Sequence, residues 1–291
     1  MPKAPCTTRF APTPSGPLHV GHLLAALQAR RMADENGGRC VLRIEDIDLR
    51  ARDPQWVELM HRDLAWLGLH FDGEVMVQSK RFPVYAAALQ QLRERGFLYP
   101  CFCTRGEIKA HLAEIGRAPH ATLGYLYPGT CKHLSADEAE SRIAAGEPHA
   151  WRLDMERVQD TIGCPEWYDM IHGTQRCVPT EYGDVVLARK ELPASYHLAV
   201  VVDDAAQGIT HVTRGEDLLE ATHIHRALQG VLGLPTPVYC HHALLRDNAG
   251  KRLAKRDGAR SLESLRAAGY TPEQVKESLH KALKNGGIWQ V

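Results

Sequence analysis

The sequence has no surplus of charge and no long apolar run, and both absences narrow what it can do. Lys+Arg and Asp+Glu balance at 35 each, so no global basic field announces a nucleic-acid partner, and any RNA contact has to be local. No run approaches the roughly 18 apolar residues that a membrane-spanning helix needs. The N-terminus, MPKAPCTTRF, lacks the apolar stretch of a secretory signal. A cytoplasmic protein without a membrane partner is expected. Cysteine is sparse, eight in 291 residues; in a reducing compartment these are expected as thiols or metal ligands rather than disulfides. Beside these absences, 44% hydrophobic and 24% charged residues make an ordinary globular composition. The length suggests about two domain equivalents and permits a sizeable core.

What is present is concentrated in a few stretches, the densest being RFAPTPSGPLHVGH (9–22). A β-prone run, Thr7–Ala11, enters a segment with prolines at 12, 14 and 17. Leu23, Leu24, Ala26, Leu27 and Met32 then recur at the spacing of one buried helical face. Pro17 suits the first turn of that helix, with Ser15 and Gly16 outside it as caps. The reading is strand, tight loop and exposed helix N-terminus, a site for phosphate. His19 and His22 are spaced to point from one face of the first turn, and Gly21 leaves room for a flat ligand such as adenine. The plain alternative is a Pro-rich turn with two surface histidines. Gly37-Gly38 is a stop signal, and RCVLRIEDID (39–48) reads as a buried strand ending in acids. Strand–helix–strand predicts a parallel sheet with its site at the strands' C-terminal ends, where Glu45 lies. Asp46 and Asp48 read as loop-fixing.

Residues 54–98 carry a helical pattern in which Trp56, Leu59, Met60, Leu64 and Leu67 form a core stripe; Arg81 is the one side chain there placed for a phosphate. Cys101-Phe102-Cys103 presents two thiols on an extended segment, and Cys131 follows. A structural zinc takes four ligands in a tetrahedron, and ordinary preferences would make the fourth His120 or His133. Separate buried thiols are the alternative. Residues 104–182 mix a helix (Ser135–Ala145) with short strands around His149–Met155 and Ile171–Val178, an insertion between two halves of a nucleotide fold. Residues 184–217 return to strands, with Tyr196 opening one, Arg214 following another and Asp203-Asp204 at a strand-end turn. KRLAKRDGA (251–259) is strongly basic, either a phosphate-facing loop or simply a solvated one. Thr271-Pro272-Glu273-Gln274 is a capping-box start for a last helix that Asn285-Gly286-Gly287 ends.

Taken whole, RFAPTPSGPLHVGH resembles the first signature of the class I aminoacyl-tRNA synthetases in its glutamyl form. KRLAKRDGA resembles the second, with Arg252 and Ala254 in place of the usual Lys and Ser. LRIEDID, DLAWLGLHFD, QSKRFPVY, YHLAVVVDD and THVTRGEDLL are also close to segments of that family. The resemblance implies an α/β, Rossmann-like parallel sheet in two halves (1–98 and 183–247). An inserted zinc-bearing subdomain (99–182) would hold the acceptor end of tRNA, and the second-signature loop with short C-terminal helices would follow (248–291). It implies that His19, Gly21, His22, Arg252 and Lys255 meet ATP and its Mg²⁺, with His19, His22 and Lys255 catalytic. It implies that Arg9, Phe10, Ala11, Pro12, Thr13, Glu45, Tyr196 and Arg214 line the L-glutamate pocket. Glu45 there takes the ammonium, and the two guanidinium groups suit a side-chain carboxylate. The family's CxC followed by Tyr-x-x-x-Cys is matched by Tyr127–Cys131, which implies one zinc per chain on Cys101, Cys103, Tyr127 and Cys131.

Only residues 257–291 follow Arg256, so no anticodon-binding domain is expected. LLAAL (23–27) has Leu24 where glutamyl-tRNA synthetases commonly have Arg. With the cysteine–tyrosine set, these features are similar to a short, queuosine-directed branch of the family. That branch activates L-glutamate with ATP in the absence of tRNA, and then esterifies it to the queuosine base in the anticodon of tRNA(Asp). A monomer fits. The alternatives are a truncated glutamyl-tRNA synthetase charging the 3′ end of tRNA, and a non-catalytic paralogue.

Overall fold

The computed structural model describes residues 5–114, 126–189, 191–247, 253, 260–285 and 287–289, with 50 and 112–114 described by backbone alone. In chain order these form β1 (Thr7–Phe10), α1 (Val20–Glu35), β2 (Arg39–Ile44), α2 (Pro54–Trp66), β3 (Met76–Val77), α3 (Phe82–Glu94) and β4 (Leu98–Cys101). Then come α4 (Arg105–Glu114), α5 (Ala136–Ala144), β5 (Ala150–Leu153), α6 (Met155–Ile162), β6 (Glu166–Asp169), β7 (Gly173–Arg176) and β8 (Val186–Arg189). The last are α7 (Tyr196–Ala206), β9 (His211–Gly215), α8 (Leu219–Leu232), β10 (Val238–His242), α9 (Leu262–Ala267) and α10 (Pro272–Lys284). They gather into two compact units: Met1–Lys80, Ile209–Asp217 and Pro237–Val291 form the first, and Arg81–Gly208 with Leu218–Thr236 the second. These units cut across the four sequence segments.

In the first unit β1, β2 and β3 form a parallel sheet in that order, with Arg9 opposite Val41. The expected strand 39–48 ends at Ile44, leaving Glu45 and Asp46 in the loop beyond it. Asp46 accepts bonds from the Ser79 amide and hydroxyl at 2.8 and 2.6 Å, the loop-fixing role read from sequence. Gly38 is needed where α1 returns to β2, because a Cβ there would lie 1.9 Å from the Cys6 carbonyl. Strands β9 and β10 are also parallel, Arg214 opposite His241. An amide of Thr210 donating to the Thr7 carbonyl at 2.9 Å sets the start of β9 beside β1.

The core of this unit joins Phe10, Leu23, Leu42, Met60 and Leu64 to Leu265, Leu279 and Trp289. The C-terminal helices are therefore part of the first unit's core rather than an appendage, each buried large side chain contributing about 1.5–3 kcal/mol. Thr271 and Gln274 form the capping box expected at the start of α10.

The second unit carries an antiparallel sheet, β4-β5-β8, and the hairpin β6–β7. One sequence expectation is corrected here. Tyr196 opens a helix, α7, not a strand: Ser195 caps it by accepting from the Leu198 amide at 3.3 Å. The run LAVVVDD is β-prone, but Leu198, Ala199, Val200, Val201, Asp203 and Asp204 are all buried, and a helix buried nearly all round has no polar stripe to betray its period. Asp203 accordingly lies within α7 and not at a turn. It accepts from Arg81 Nε and from the Tyr85 hydroxyl, both at 2.7 Å, so Arg81 is engaged in an ion pair rather than offered to a phosphate. Helix α5 starts after its Ser135 cap as expected, whereas α6 replaces the end of the strand read at 149–155.

Candidate active site

The first-signature loop ends in a cap built from its two histidines. Helix α1 begins at Val20, later than Pro17 suggested, because Gly16 takes a left-handed φ of 141° and His19 is extended. The caps are therefore not Ser15 and Gly16. His19 Nδ1 accepts from the Gly21 amide and His22 Nδ1 accepts from the His19 amide, each at 3.1 Å, a reciprocal capping box. The ring centroids are 3.9 Å apart. Since each Nδ1 accepts a backbone N–H, the cap holds both rings neutral with the proton on Nε2. Nε2–H donors at a helix N-terminus suit phosphate oxygens. Gly21 is required by the cap itself: a Cβ would stand 2.9 Å from His19 Cε1.

Arg9, Glu45 and Arg214, three polar residues of the expected glutamate pocket, all lie in this unit, near or just beyond the C-terminal ends of β1, β2 and β9. Arg9 is buried in β1 and donates from Nη1 to the Thr213 carbonyl at 3.3 Å. Arg214 is buried in β9, its Nε donating to His241 Nε2 at 3.0 Å. Glu45 follows β2, its amide donating to the Pro12 carbonyl at 3.0 Å. Its carboxylate receives Nε and Nη2 of the fully buried Arg43 at 3.3 and 3.2 Å. Sequence reasoning missed Arg43 and His241, although Arg43 is two residues before Glu45 and His241 lies directly across the register from Arg214. Phe10 packs into the core against Phe71 and Pro12 is buried, so these two can offer a ligand only main-chain atoms; Ala11 is half-buried and Thr13 exposed. Tyr196 belongs to the second unit. Arg252, Ala254 and Lys255 lie outside the described residues. The chain on either side of them is anchored, however: the Leu253 amide donates to the Leu245 carbonyl at 2.9 Å, the Leu262 amide to the Leu18 carbonyl at 2.8 Å, and Ser261 bridges to His19.

In the second unit the sulfurs of Cys101, Cys103 and Cys131 lie within 4.8 Å of one another. Cys103 Sγ stands 3.4 Å from Cys131 Sγ and 3.6 Å from the Tyr127 hydroxyl. Zinc–sulfur bonds of about 2.3 Å in a tetrahedron put ligand atoms about 3.8 Å apart, and the three sulfurs are close enough together to hold a metal ion. Burial pushes the Cys103 thiol up to about 11 and raises the Tyr127 phenol as well. Burial acts on Cys131 in the same direction, but hydrogen bonds from Tyr127 and the Phe102 amide outweigh it and the thiol ends lower. A buried donor set holding such protons is one that a cation would deprotonate. His133 is exposed and outside this cluster; His120 lies outside the described residues. Cys101 terminates β4, Cys131 sits in the turn before α5, and the fold closes the interval between them.

Residues 5–283 match the family model described as tRNA synthetases class I (E and Q), catalytic domain. The chain is 50% identical to the glutamyl-Q tRNA(Asp) synthetase of Rhodobacter capsulatus over 92% of its own length and 98% of that protein's. It is 47% identical to the enzyme of the same name from Nocardia farcinica, over 94% and 84%. Among solved structures, the glutamate tRNA ligase of Elizabethkingia meningosepticum in complex with its amino acid superposes with a TM-score of 0.79 at 27% identity, covering 93% of this chain and 59% of that one.

Proposed function

Because the chain belongs to the class I tRNA synthetases of the glutamate and glutamine type, we propose that it joins L-glutamate to the queuosine base of tRNA(Asp). It is a ligase, and it first makes glutamyl-adenylate from ATP without RNA. The observation that carries this reading is the pair of buried guanidinium groups, Arg9 and Arg214, set with Glu45 at the ends of parallel strands beside the histidine cap. A substrate with carboxylate and ammonium ends matches that charge pattern.

Arg9 and Arg214 hold the side-chain carboxylate and Glu45 takes the ammonium, with main chain of Phe10, Ala11, Pro12 and Thr13 along one edge. The α-carboxylate oxygen attacks the α-phosphorus of ATP; the bond to the bridging oxygen breaks and pyrophosphate leaves. His19 and His22 donate through Nε2 to the triphosphate, Gly21 leaves space for the adenine, and Arg252 and Lys255 neutralise the leaving charge. Mg²⁺ entering with ATP would supply further charge neutralisation there. A hydroxyl of the queuosine cyclopentene then attacks the carbonyl carbon, AMP departs with the electron pair and the hydroxyl proton is released. The cis-diol of queuosine resembles that of a terminal ribose, so one site serves without new chemistry. Cys101, Cys103, Cys131 and Tyr127 would hold one zinc, which would supply a structural tie between the end of β4 and the turn before α5.

Among the described residues no helix is long and apolar enough to cross a membrane; the reading is of a cytoplasmic monomer. The test is charging of tRNA(Asp) with and without queuosine. The expected result is labelled glutamate on queuosine-bearing RNA, including RNA trimmed of its terminal adenosine, and none on RNA with guanine at that position. Label recovered on the 3′ terminal fragment after nuclease digestion would overturn the reading in favour of a truncated glutamyl-tRNA synthetase.

A further inference from the structure

Strand β10 sets two side chains against Arg214 that no step of the reaction above uses. Arg214 of β9 faces His241 across the parallel pair, and Val212 faces Tyr239. Residues two apart on a strand share a face, so Tyr239 and His241 stand on the same side of β10. Their rings stack, with 5.8 Å between centroids and 11° between planes. The Arg214 guanidinium carbon lies 5.5 Å from the centre of the Tyr239 ring. All three residues are buried, and close packing of this kind leaves a side chain few rotamers.

The bond between Arg214 and His241 fixes both a tautomer and an orientation. A guanidinium has N–H donors and no acceptor. Arg214 Nε donates to His241 Nε2 at 3.0 Å, so that ring nitrogen carries the lone pair and the proton sits on Nδ1. A guanidinium meets a carboxylate bidentately in one of two ways, by its side (Nε with one Nη) or by its end (both Nη). Because His241 occupies Nε, the side is closed, and only the end can take both carboxylate oxygens. A carboxamide offers one acceptor and two donors. Held in this orientation, Arg214 cannot turn away from those donors, and a donor facing a donor goes unpaired. The constraint that favours a carboxylate therefore rejects its amide.

We propose that His241 is a positioning residue acting through Arg214: it turns the end of that guanidinium to the substrate's side-chain carboxylate and so sets selectivity for glutamate over glutamine. This rests on the reading above that Arg214 meets that carboxylate, and the experiment separates the two. Pyrophosphate exchange without RNA is measured on the full chain and on two variants. His241→Leu removes the acceptor; His241→Gln returns one, its Oε1 standing where Nε2 stood. His241→Leu is expected to raise the glutamate KM about tenfold while kcat and the ATP KM stay within about twofold. The ratio of kcat/KM for glutamate to that for glutamine should fall by about tenfold as well. His241→Gln should restore both quantities. A merely structural role predicts otherwise: both KM values rise together, and Gln does no better than Leu. That pattern would overturn the proposal, as would a glutamate KM in His241→Leu within about twofold of the parent's. Nitrogen-15 imidazole spectra of the parent, with the His241 signals identified by their loss in His241→Gln, should show the proton on Nδ1. A proton on Nε2 would also overturn the proposal, and this readout needs neither activity nor a folded His241→Leu. Absence of glutamate-dependent exchange in the parent would sink the proposed activity. Calorimetric glutamate affinity then decides the role of His241: lost in Leu and kept in Gln supports it, equal in all three proteins or absent from the parent overturns it.

Discussion

The two units prepare polar groups for ligands in different ways. In the first, buried charges near strand ends and on helices are partnered by other charged or polar side chains: Arg43 with Glu45, Arg214 with His241, and Asp63 of α2 with Arg266 of α9 at 2.8 Å. Their geometry follows from the sheet register and needs nothing from outside. In the second, beside the buried pair of Arg81 with Asp203, thiols, phenols and rings cluster: three sulfurs with a hydroxyl beside them, a guanidinium over Tyr127 and an imidazole stacked on Tyr182. The contrast is between charges paired within the fold and a sulfur cluster that could hold a metal ion.

The comparison breaks most visibly at Lys255. If activation belongs to the first unit alone, Lys255→Ala should lower kcat of glutamate-dependent pyrophosphate exchange by roughly 10²–10³, the scale for one preorganised electrostatic donor. Exchange within about threefold of the parent would show that the basic loop is not catalytic. Arg252→Ala should cost less, since that position already departs from the family's signature.

The second unit's dependence on a cation is tested next. Elemental analysis should find one zinc per chain, and Cys131→Ala should abolish its retention. Tyr127→Phe should weaken retention by about tenfold or more, while His133→Ala should not alter it. Zinc held as well by Tyr127→Phe as by the parent would remove the phenol from the ligand set.

Smaller effects sharpen the picture of a pre-set first unit. Gly21→Ala drives a methyl into His19 and should undo the cap, costing about 0.5–2 kcal/mol of stability and raising the KM for ATP; thermal melts and exchange kinetics read both. Asp63 shows the limit of pre-setting. Burial, only partly opposed by Arg266, pushes its carboxyl up to about 6, and one of its oxygens has no hydrogen-bond partner. A carboxyl whose folded pKa lies above its unfolded value of 3.8 favours the fold at low pH, and that contribution is lost as pH rises through about 6. Asp63→Asn should therefore gain stability relative to the parent as pH rises from about 4 to 7, by an amount on the order of 1–2 kcal/mol. A difference that is constant with pH in denaturant titrations would show that the carboxyl titrates normally.

Much of the first unit was legible along the chain because its groups are close in sequence or at ends that local rules mark. The helix after His22, the turn at Gly37-Gly38, the strand before Glu45 and the capping box at Thr271 are each specified by residues within a few positions of one another. The misreadings have one origin. At Tyr196–Ala206 burial on most sides erases the periodicity that separates helix from strand, and the Ser195 cap is the signal that distinguishes them. At Pro17–His19 the nearer capping residues were preferred, since histidines closing a cap through ring nitrogens are seen only when both ring positions are known.

What the sequence determined by itself is the local chemistry: two signatures with their arginines and histidines, an acid after a strand, a CxC with a tyrosine and a later cysteine, and the family these identify. Tertiary structure decided the rest. It seated α9 and α10 in the core that carries the first signature, buried Arg43 against Glu45, and drew Tyr127 and Cys131 to Cys101 and Cys103. The physical reason is range. Capping, turns and periodicity act over a few residues and can be read in order, whereas burial and side-chain partnership join positions far apart in the chain, and only the packed fold says which of them meet.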